Sequence, residues 1–265
     1  MPQEPAMLVF SNLDDVLGHP SDEAWSDASK TLRGLEKEAV PLVLCSSKTR
    51  AEIEVILQAL ELQHPFVSEG GNAAFIPVGY FPFEVTDARE VAGYQAIELG
   101  RPYAEVVQIL GKTADRQKID VVGFGDMSVE EVARDCRLTL LQARLAKLRE
   151  YGERFRFLDP SPATHKRLFT ALEGAHLRCY GTECYLHVGA AVDPRLAVSV
   201  LCGLYKRKLG AVLSLGSADA TAPFSDRSLA ISSRVGHSGM TLVDWAGAIV
   251  DVVGRLRDRK AWQAQ

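Results

Sequence analysis

The sequence holds little that would commit it to disulfide, zinc, membrane or nucleic-acid chemistry. Its five cysteines, Cys45, Cys136, Cys179, Cys184 and Cys202, are odd in number and contain no CxxC. That argues against a paired disulfide framework and the common zinc spacings, and it predicts small core thiols in a reducing cytoplasm. Positive charge is not in excess: 30 Lys and Arg against 34 Asp and Glu leave a net charge of -4. A nucleic-acid partner or an anionic membrane surface calls for a basic excess, so neither is expected. No run approaches the roughly 20 apolar residues of a membrane span. Residues 1–6 also lack the charged and apolar regions of a signal peptide. Internal repeats and low-complexity tracts are absent as well.

What is present is core. With 265 residues and 47% hydrophobic content, the chain can bury one large or two modest domains. Residues 6–17 (AMLVFSNLDDVL) organise it. Residues 7–10 are an unbroken apolar run suited to a buried parallel strand, and Ser11, Asn12, Leu13, Asp14 and Asp15 follow at its carboxyl end. In open α/β sheets ligands bind beyond those ends.

Ser21 can cap a helix with Ala24, Trp25, Ala28, Leu32, Leu35 and Ala39 on one face. Residues 41–46 (PLVLCS) read as a second buried strand. They run into Ser47, Lys48, Thr49 and Arg50 and a helix whose Thr49 and Glu52 have capping-box spacing. Ser46, Ser47 and Lys48 then lie at a helix N-terminus, where N–H groups and the helix dipole favour an anion. Without further support, the plain reading is a strand-to-helix turn with a solvated Lys48 and Arg50. Residues 66–68 and 73–77 flank Glu69-Gly70-Gly71-Asn72 as a hairpin.

Through residue 83 the pattern is β-α-β-α-β, half of a doubly wound sheet. From 84 to about 181 it changes. Residues 91–110 and 140–148 read as helical, and 119–124 as a strand. Ser128 with Glu131, and Ser161 with Pro162, mark two more helix starts. Residues 154–158 alternate as a strand, and 176–180 with 184–188 form a strand pair. From Asp193 the α/β pattern resumes, with a helix to Leu209, strands at 211–215 and 229–231, and a final amphipathic helix from Thr241. The fold class predicted is α/β: a doubly wound parallel-sheet core of residues 1–83 and 182–265, with an α+β insert over 84–181.

Phe-x-Asn-Leu-Asp-Asp-Val-Leu at residues 10–17 resembles the first motif of the haloacid dehalogenase (HAD) superfamily, Asp-x-Asp-x-(Thr/Val). Four further stretches are similar to mannosyl-3-phosphoglycerate phosphatases: 46–52 (SSKTRAE), 69–77 (EGGNAAFIP), 122–132 (VGFGDMSVEEV) and 148–155 (LREYGERF). They occur in order over nearly the whole chain. The resemblance implies a HAD Rossmann-like core with a C2-type cap. It also implies aspartyl-phosphate chemistry, in which a carboxylate attacks phosphorus, Mg²⁺ neutralises the phosphoryl oxygens, and a lysine and a hydroxyl hold the group.

Carried over residue by residue, the resemblance places Asn12 at the nucleophile, Asp14 at the general acid/base and Ser46 at the second-motif hydroxyl. The third-motif lysine falls on Pro194 within Asp193-Pro194-Arg195. The metal-side aspartates of the fourth motif fall on Ser217 and Thr221, and its asparagine on Ala220. Asn12, Asp14, Ser217 and Thr221 offer one carboxylate where Mg²⁺ wants several, so no cofactor is expected. A register slid by two residues would put Asp219, with Asp226, at the metal and bring Mg²⁺ back. Ser46, Ser47, Lys48, Arg50 and the Gly70 and Gly71 backbone remain as anion donors. His187 matches a family position before the third motif, and is also what a packed strand-end histidine looks like. Asp126 and Glu131 read equally as caps of an insert helix.

Three functions are open at this point. The first is a pseudophosphatase that binds a phosphorylated sugar-acid or similar small anion. The second is an active Mg²⁺-dependent sugar-phosphate phosphatase, and the third a protein-binding scaffold that keeps only the fold.

Overall fold

The computed structural model describes residues 6–12, 21–159, 161–181, 185–209, 212–216, 227–230 and 241–263. In order, the first half of the core runs β1 (Ala6–Asn12), α1 (Asp22–Lys37), β2 (Leu42–Cys45), α2 (Arg50–Ala59), β3 (Phe66–Ser68), β4 (Ala73–Pro77), β5 (Arg89–Val91) and β6 (Tyr94–Glu98). The insert contains α3 (Tyr103–Gln117), β7 (Val121–Gly123), α4 (Val129–Cys136), α5 (Leu140–Ala146), β8 (Gly152–Phe157), α6 (Pro162–Glu173), β9 (Leu177–Tyr180) and β10 (Leu186–Ala190). The chain then returns to the core with α7 (Pro194–Leu209), β11 (Val212–Gly216), β12 (Arg227–Ala230) and α8 (Leu242–Gln263).

The core is an eight-stranded sheet in the order β12-β11-β1-β2-β3-β4-β6-β5. The first five strands are parallel and the remaining pairings antiparallel. β1 sits inside this sheet, and its side chains alternate between two cores. Met7 and Val9 join Leu32, Ile53, Trp245 and Ile249 on the side of α1, α2 and α8. Leu8 and Phe10 join Ala197, Leu201 and Tyr205 of α7 on the other. With helices on both faces, the apolar run of β1 is buried throughout, as a central parallel strand requires. The Trp245 indole N–H donates to the Ser11 hydroxyl at 2.9 Å, which satisfies the polar residue that follows the run.

The insert is a four-stranded antiparallel sheet, β7-β8-β10-β9. One face packs on α3 and α6 through Phe155, Val188, Val106 and Leu168. Local signals set most helix starts. Thr49 and Ser128 each close a capping box, with Glu52 and Glu131, and Ser161 caps α6 with Pro162 at its first position.

Two readings of the sequence differ from the structure. Residues 91–110 are not one helical stretch: β5 and β6 form a hairpin before α3 begins. Its turn is Ala92-Gly93, both at positive φ (49° and 85°), and alanine is not a residue that announces such a turn. This hairpin extends the core sheet although it lies within 84–181, whereas β10 lies within 182–265 and belongs to the insert sheet. The sheets therefore part after β6 and after β10.

Candidate functional site

β1 ends at Asn12, which registers with Cys45 at the end of β2, so Asn12 and Ser46 share one edge of the sheet. Ser46 is buried, and its hydroxyl accepts from the Lys48 N–H at 3.1 Å, shaping a tight turn into α2. The Lys48 ammonium extends from this turn, and among the described residues it has a 3.9 Å pairing to Glu52. Asp14, Ser217, Asp219, Ala220, Thr221 and Asp226 lie outside the described residues. Pro194 begins α7, where a missing N–H costs nothing. Arg195, which follows it, spends its guanidinium on Asp193 at 2.6 Å and so does not replace a lysine. That bond, with the Arg195 backbone N–H, holds Asp193 down to about 2.

The donors expected from Gly70, Gly71 and Arg50 are otherwise engaged. Gly70 N–H donates to the Ser46 carbonyl at 2.9 Å and Gly71 N–H to the Ser68 carbonyl at 3.1 Å. These N–H groups build the turn, and both glycines adopt positive φ. Gly70 also makes room for the insert, because a Cβ there would stand 2.5 Å from the Tyr180 hydroxyl oxygen. Arg50 is bound to Glu54 of its own helix at 2.7 Å and to Glu150 of the insert at 3.1 Å. Ser47 contributes its carbonyl to Arg149 at 3.3 Å. Asp126 and Glu131 cap locally, Asp126 accepting from Gly123 N–H and Glu131 from Ser128 N–H.

The strongest feature beside the Lys48 turn joins two stretches named in the sequence, 69–77 and 148–155, whose pairing the sequence does not show. Glu69, fully buried, pairs with the buried Arg149 at 3.2 Å. It also accepts from the backbone N–H of Glu150, Tyr151 and Gly152 at 2.7, 3.3 and 2.9 Å. Burial pushes its carboxyl up, while Arg149 and the three N–H groups pull it back. The partners stand about 80 positions apart, and only the fold brings them together.

His187 faces the same seam. It is 6% exposed and stacks on Tyr180 with centroids 5.0 Å apart and planes 7° from parallel. Its Nδ1 has no hydrogen-bond partner among the described residues. Burial, then the charges of Arg149, Arg154 and Lys48, push its imidazole down to about 2, so the ring is neutral. A recess at the back of the seam, lined by Arg89, Glu98, Gly100, Pro102, Glu150 and Tyr151, is internally neutralised. Arg89 and Tyr151 both bond Glu98 there.

Among the described residues no three His, Cys, Asp or Glu side chains gather as a metal site, and no helix is long and apolar enough to cross a membrane. Ser46 and Lys48 lead into the N-terminus of α2, where backbone N–H groups and the helix dipole favour negative charge.

No protein-family model matches the chain. It is 32% identical over 266 residues to a glucosyl-3-phosphoglycerate/mannosyl-3-phosphoglycerate phosphatase of Methanococcoides burtonii, covering 94% of this chain and 97% of that one. A protein of the same description from Persephonella marina is 34% identical over 215 residues, 81% of this chain and 78% of its own. A mannosyl-3-phosphoglycerate phosphatase of Pyrococcus horikoshii is 31% identical over 219 residues, with 82% and 85% covered. Among solved structures, a HAD subclass IIB sugar phosphatase superposes with a TM-score of 0.51 at 12% identity, over 97% of this chain and 99% of that one. The sucrose-phosphatase of Synechocystis sp. PCC6803 gives 0.52 at 11%, over 95% and 98%. At such identities these structures speak for the fold alone.

Proposed function

The chain belongs to the glucosyl-3-phosphoglycerate/mannosyl-3-phosphoglycerate phosphatase family of the HAD superfamily, and from that premise we propose that it is a catalytically degenerate member that binds a phosphorylated sugar-acid without hydrolysing it. Its fold is the HAD-like α/β core with a C2-type cap, and the relatives named above are phosphatases of phosphorylated sugar-glycerates. The observation that carries the proposal is Asn12. It ends the central strand one register position from Ser46, where the resemblance calls for a nucleophilic carboxylate. A neutral amide is a poor nucleophile towards phosphorus.

The rest of the sequence is consistent with that loss. Mg²⁺ sheds water reluctantly and needs anionic oxygens, and Asn12, Ser217 and Thr221 supply none. With Asp14 as the one carboxylate at these positions, the donor set does not fit the metal. Pro194 stands where the lysine would, and Arg195 is committed to Asp193. The Ser46 hydroxyl hydrogen and the Lys48 ammonium are the donors this reading assigns to an anion.

The test is phosphate release from mannosyl-3-phosphoglycerate and from a generic phosphomonoester, with and without Mg²⁺. No turnover is expected from the protein. Asn12→Asp should stay well below about 1 s⁻¹, because one carboxylate does not rebuild the site. Mg²⁺-dependent turnover by the unmodified protein overturns the proposal.

A further inference from the structure

The chain passes from core to insert after β6 and begins its return at the end of β10, and one core side chain stands between the two passages. Leu99 and Gly100 N–H both donate to the Asn72 carbonyl, at 2.9 and 2.8 Å. Gly100 lies so close that a Cβ there would run into the Asn72 side chain. On the returning strand, a Cβ at Gly189 would stand 3.2 Å from Asn72 Nδ2. Each passage is therefore a glycine where it meets Asn72, and neither position has the positive φ that would otherwise call for one.

Asn72 belongs to the short turn between β3 and β4, which on its other side is tied to the turn at residues 46–48. Glu69 N–H donates to the Lys48 carbonyl at 3.0 Å and Gly70 N–H to the Ser46 carbonyl at 2.9 Å. Asn72 Nδ2 closes its own turn by donating to the Glu69 carbonyl. Glu69, Gly70 and Gly71 all have positive φ, at 46°, 69° and 98°. For a glutamate that conformation is strained, and it persists only where the surroundings hold it. Here Arg149 and three N–H groups of the insert hold the Glu69 carboxylate. Asn72 Oδ1 is buried with no hydrogen-bond partner among the described residues. That costs stability, and an apolar side chain would fill the same space without the cost.

We infer that Asn72 is a positioning residue, the wedge through which the setting of the insert fixes the shape of the anion-binding turn at residues 46–48. This rests on the anion-binding reading above and adds how the insert bears on that turn. The path has two steps. Both passages grip Asn72, and the turn that carries Asn72 also carries the two N–H groups that hold the Ser46 and Lys48 carbonyls. There is little slack between the steps, because Asn72, Glu69 and Ser46 are 3%, 0% and 4% exposed. Close packing passes a displacement on instead of absorbing it. A shift of either passage therefore moves the wedge and, through its turn, the Ser46 and Lys48 carbonyls. Such coupling is reciprocal, so an anion held at Lys48 also steadies the insert.

The experiment compares the unmodified chain with Gly100→Ala, by residue-resolved hydrogen exchange without ligand and by calorimetry with inorganic phosphate. The added methyl pushes on Asn72 from outside the anion turn. Exchange of the Gly70 and Lys48 N–H groups should speed up at least about tenfold, while the amides of α1 stay within about twofold. Phosphate affinity should fall at least about fivefold. Asn72→Gly removes the side chain that the methyl meets, so adding Gly100→Ala to it should change phosphate affinity by less than about twofold. A variant that only weakened the fold would speed exchange in α1 as well, and removing Asn72 would not suppress it. If Gly100→Ala does not fold, Gly189→Ala presses on Asn72 more mildly from the other passage and should lower affinity about twofold or more. Unchanged exchange at Lys48, or an equal loss of affinity with and without Asn72, overturns the positioning role and leaves the proposed function standing. If phosphate does not bind the unmodified chain, the anion-binding reading falls, and the ligand-free exchange alone decides whether Asn72 sets the turn.

Discussion

Glu69 and His187 both border the Lys48 turn, both are buried, and their surroundings differ in kind. Around Glu69 the chain supplies a guanidinium and three backbone N–H groups, so the carboxylate is saturated from within. Around His187 it supplies a stacked ring and three cations, but nothing among the described residues for Nδ1. The first arrangement holds two domains together. The second leaves a buried ring nitrogen without a partner among the described residues. The difference separates a buried polar group that the chain saturates from one it leaves without a partner among the described residues, a distinction that residue type alone does not make.

The saturated side should break hardest. Glu69→Gln leaves Arg149 buried without its counter-charge, and the expected loss of stability is about 3–5 kcal/mol. Urea unfolding measures it. Adding Arg149→Met should recover part of the loss, because the stranded charge goes with it. A single variant within about 1 kcal/mol of the parent would mean that the pair is solvated and the clasp is not structural.

The two sides were also unequally legible in the sequence. Thr49 with Glu52 and Ser128 with Glu131 announce their helices because a capping box is closed by side chains three positions apart. Gly70 and Gly71 announced a turn but not its purpose, since an anion-binding loop and a tight hairpin ask for the same glycines. The Ala92-Gly93 hairpin was hidden by an alanine at positive φ, inside a run whose apolar spacing also suits a helix. Glu69, Arg149 and Arg154 lie in stretches that the sequence marks, and His187 is a marked position, but that Glu69 meets Arg149 and Arg154 meets His187 is not legible there. Their meeting is set by how the cap docks and by strand register. The motif residues at Asn12 and Ser46 were legible as positions, whereas the engagement of Arg50 with Glu150 needed coordinates.

The open side should register acid. His187 falls to about 2 and His64 to about 4 from 6.5, each chiefly through burial. Lys48, Arg149 and Arg154 bear on the first, and Lys208 on the second. Between pH 6.5 and about 4 the unfolded chain therefore binds more protons than the folded one. Stability falls as pH drops through that window, by up to about 1.4 kcal/mol per pH unit for each ring. His187→Phe, which keeps the stack on Tyr180, should roughly halve this fall while leaving neutral-pH stability nearly intact. An unchanged acid slope would mean that the imidazole titrates normally and the two sides of the seam are not different.

Lys48 offers a finer cut. Among the described residues its ammonium has a long pairing with Glu52, and on the proposed function it serves a ligand more than the fold. Lys48→Ala should weaken phosphate binding by about 1–3 kcal/mol in calorimetry with little change in melting temperature. The affinity of the unmodified protein should also decline as salt is raised. Equal phosphate affinity in parent and variant would place the anion elsewhere.

The smallest effect expected is the response to Mg²⁺, and its smallness is the point. A cation that binds only the native state raises stability by mass action, by about 2.7 kcal/mol when its concentration is a hundred times its dissociation constant. A family site with several carboxylates would show that shift at millimolar Mg²⁺. Here the cleft is bordered by Lys48, Arg149 and Arg154, whose charges already depress His187, and its strand end carries an amide at Asn12. Arg149 is paired with Glu69 and Lys48 with Glu52, which leaves Arg154 to oppose a divalent cation, and Asp14 alone does not hold one. The melting temperature should therefore stay within about 1 °C of its metal-free value, where a gain of 1 kcal/mol would move it by roughly 2–4 °C in a chain of this size. A clear upward shift that disappears in Asp219→Ala would show that the slid register of the fourth motif is the right one. The cleft would then be a cation site after all, and the contrast with the Glu69 clasp would have to be redrawn around a metal.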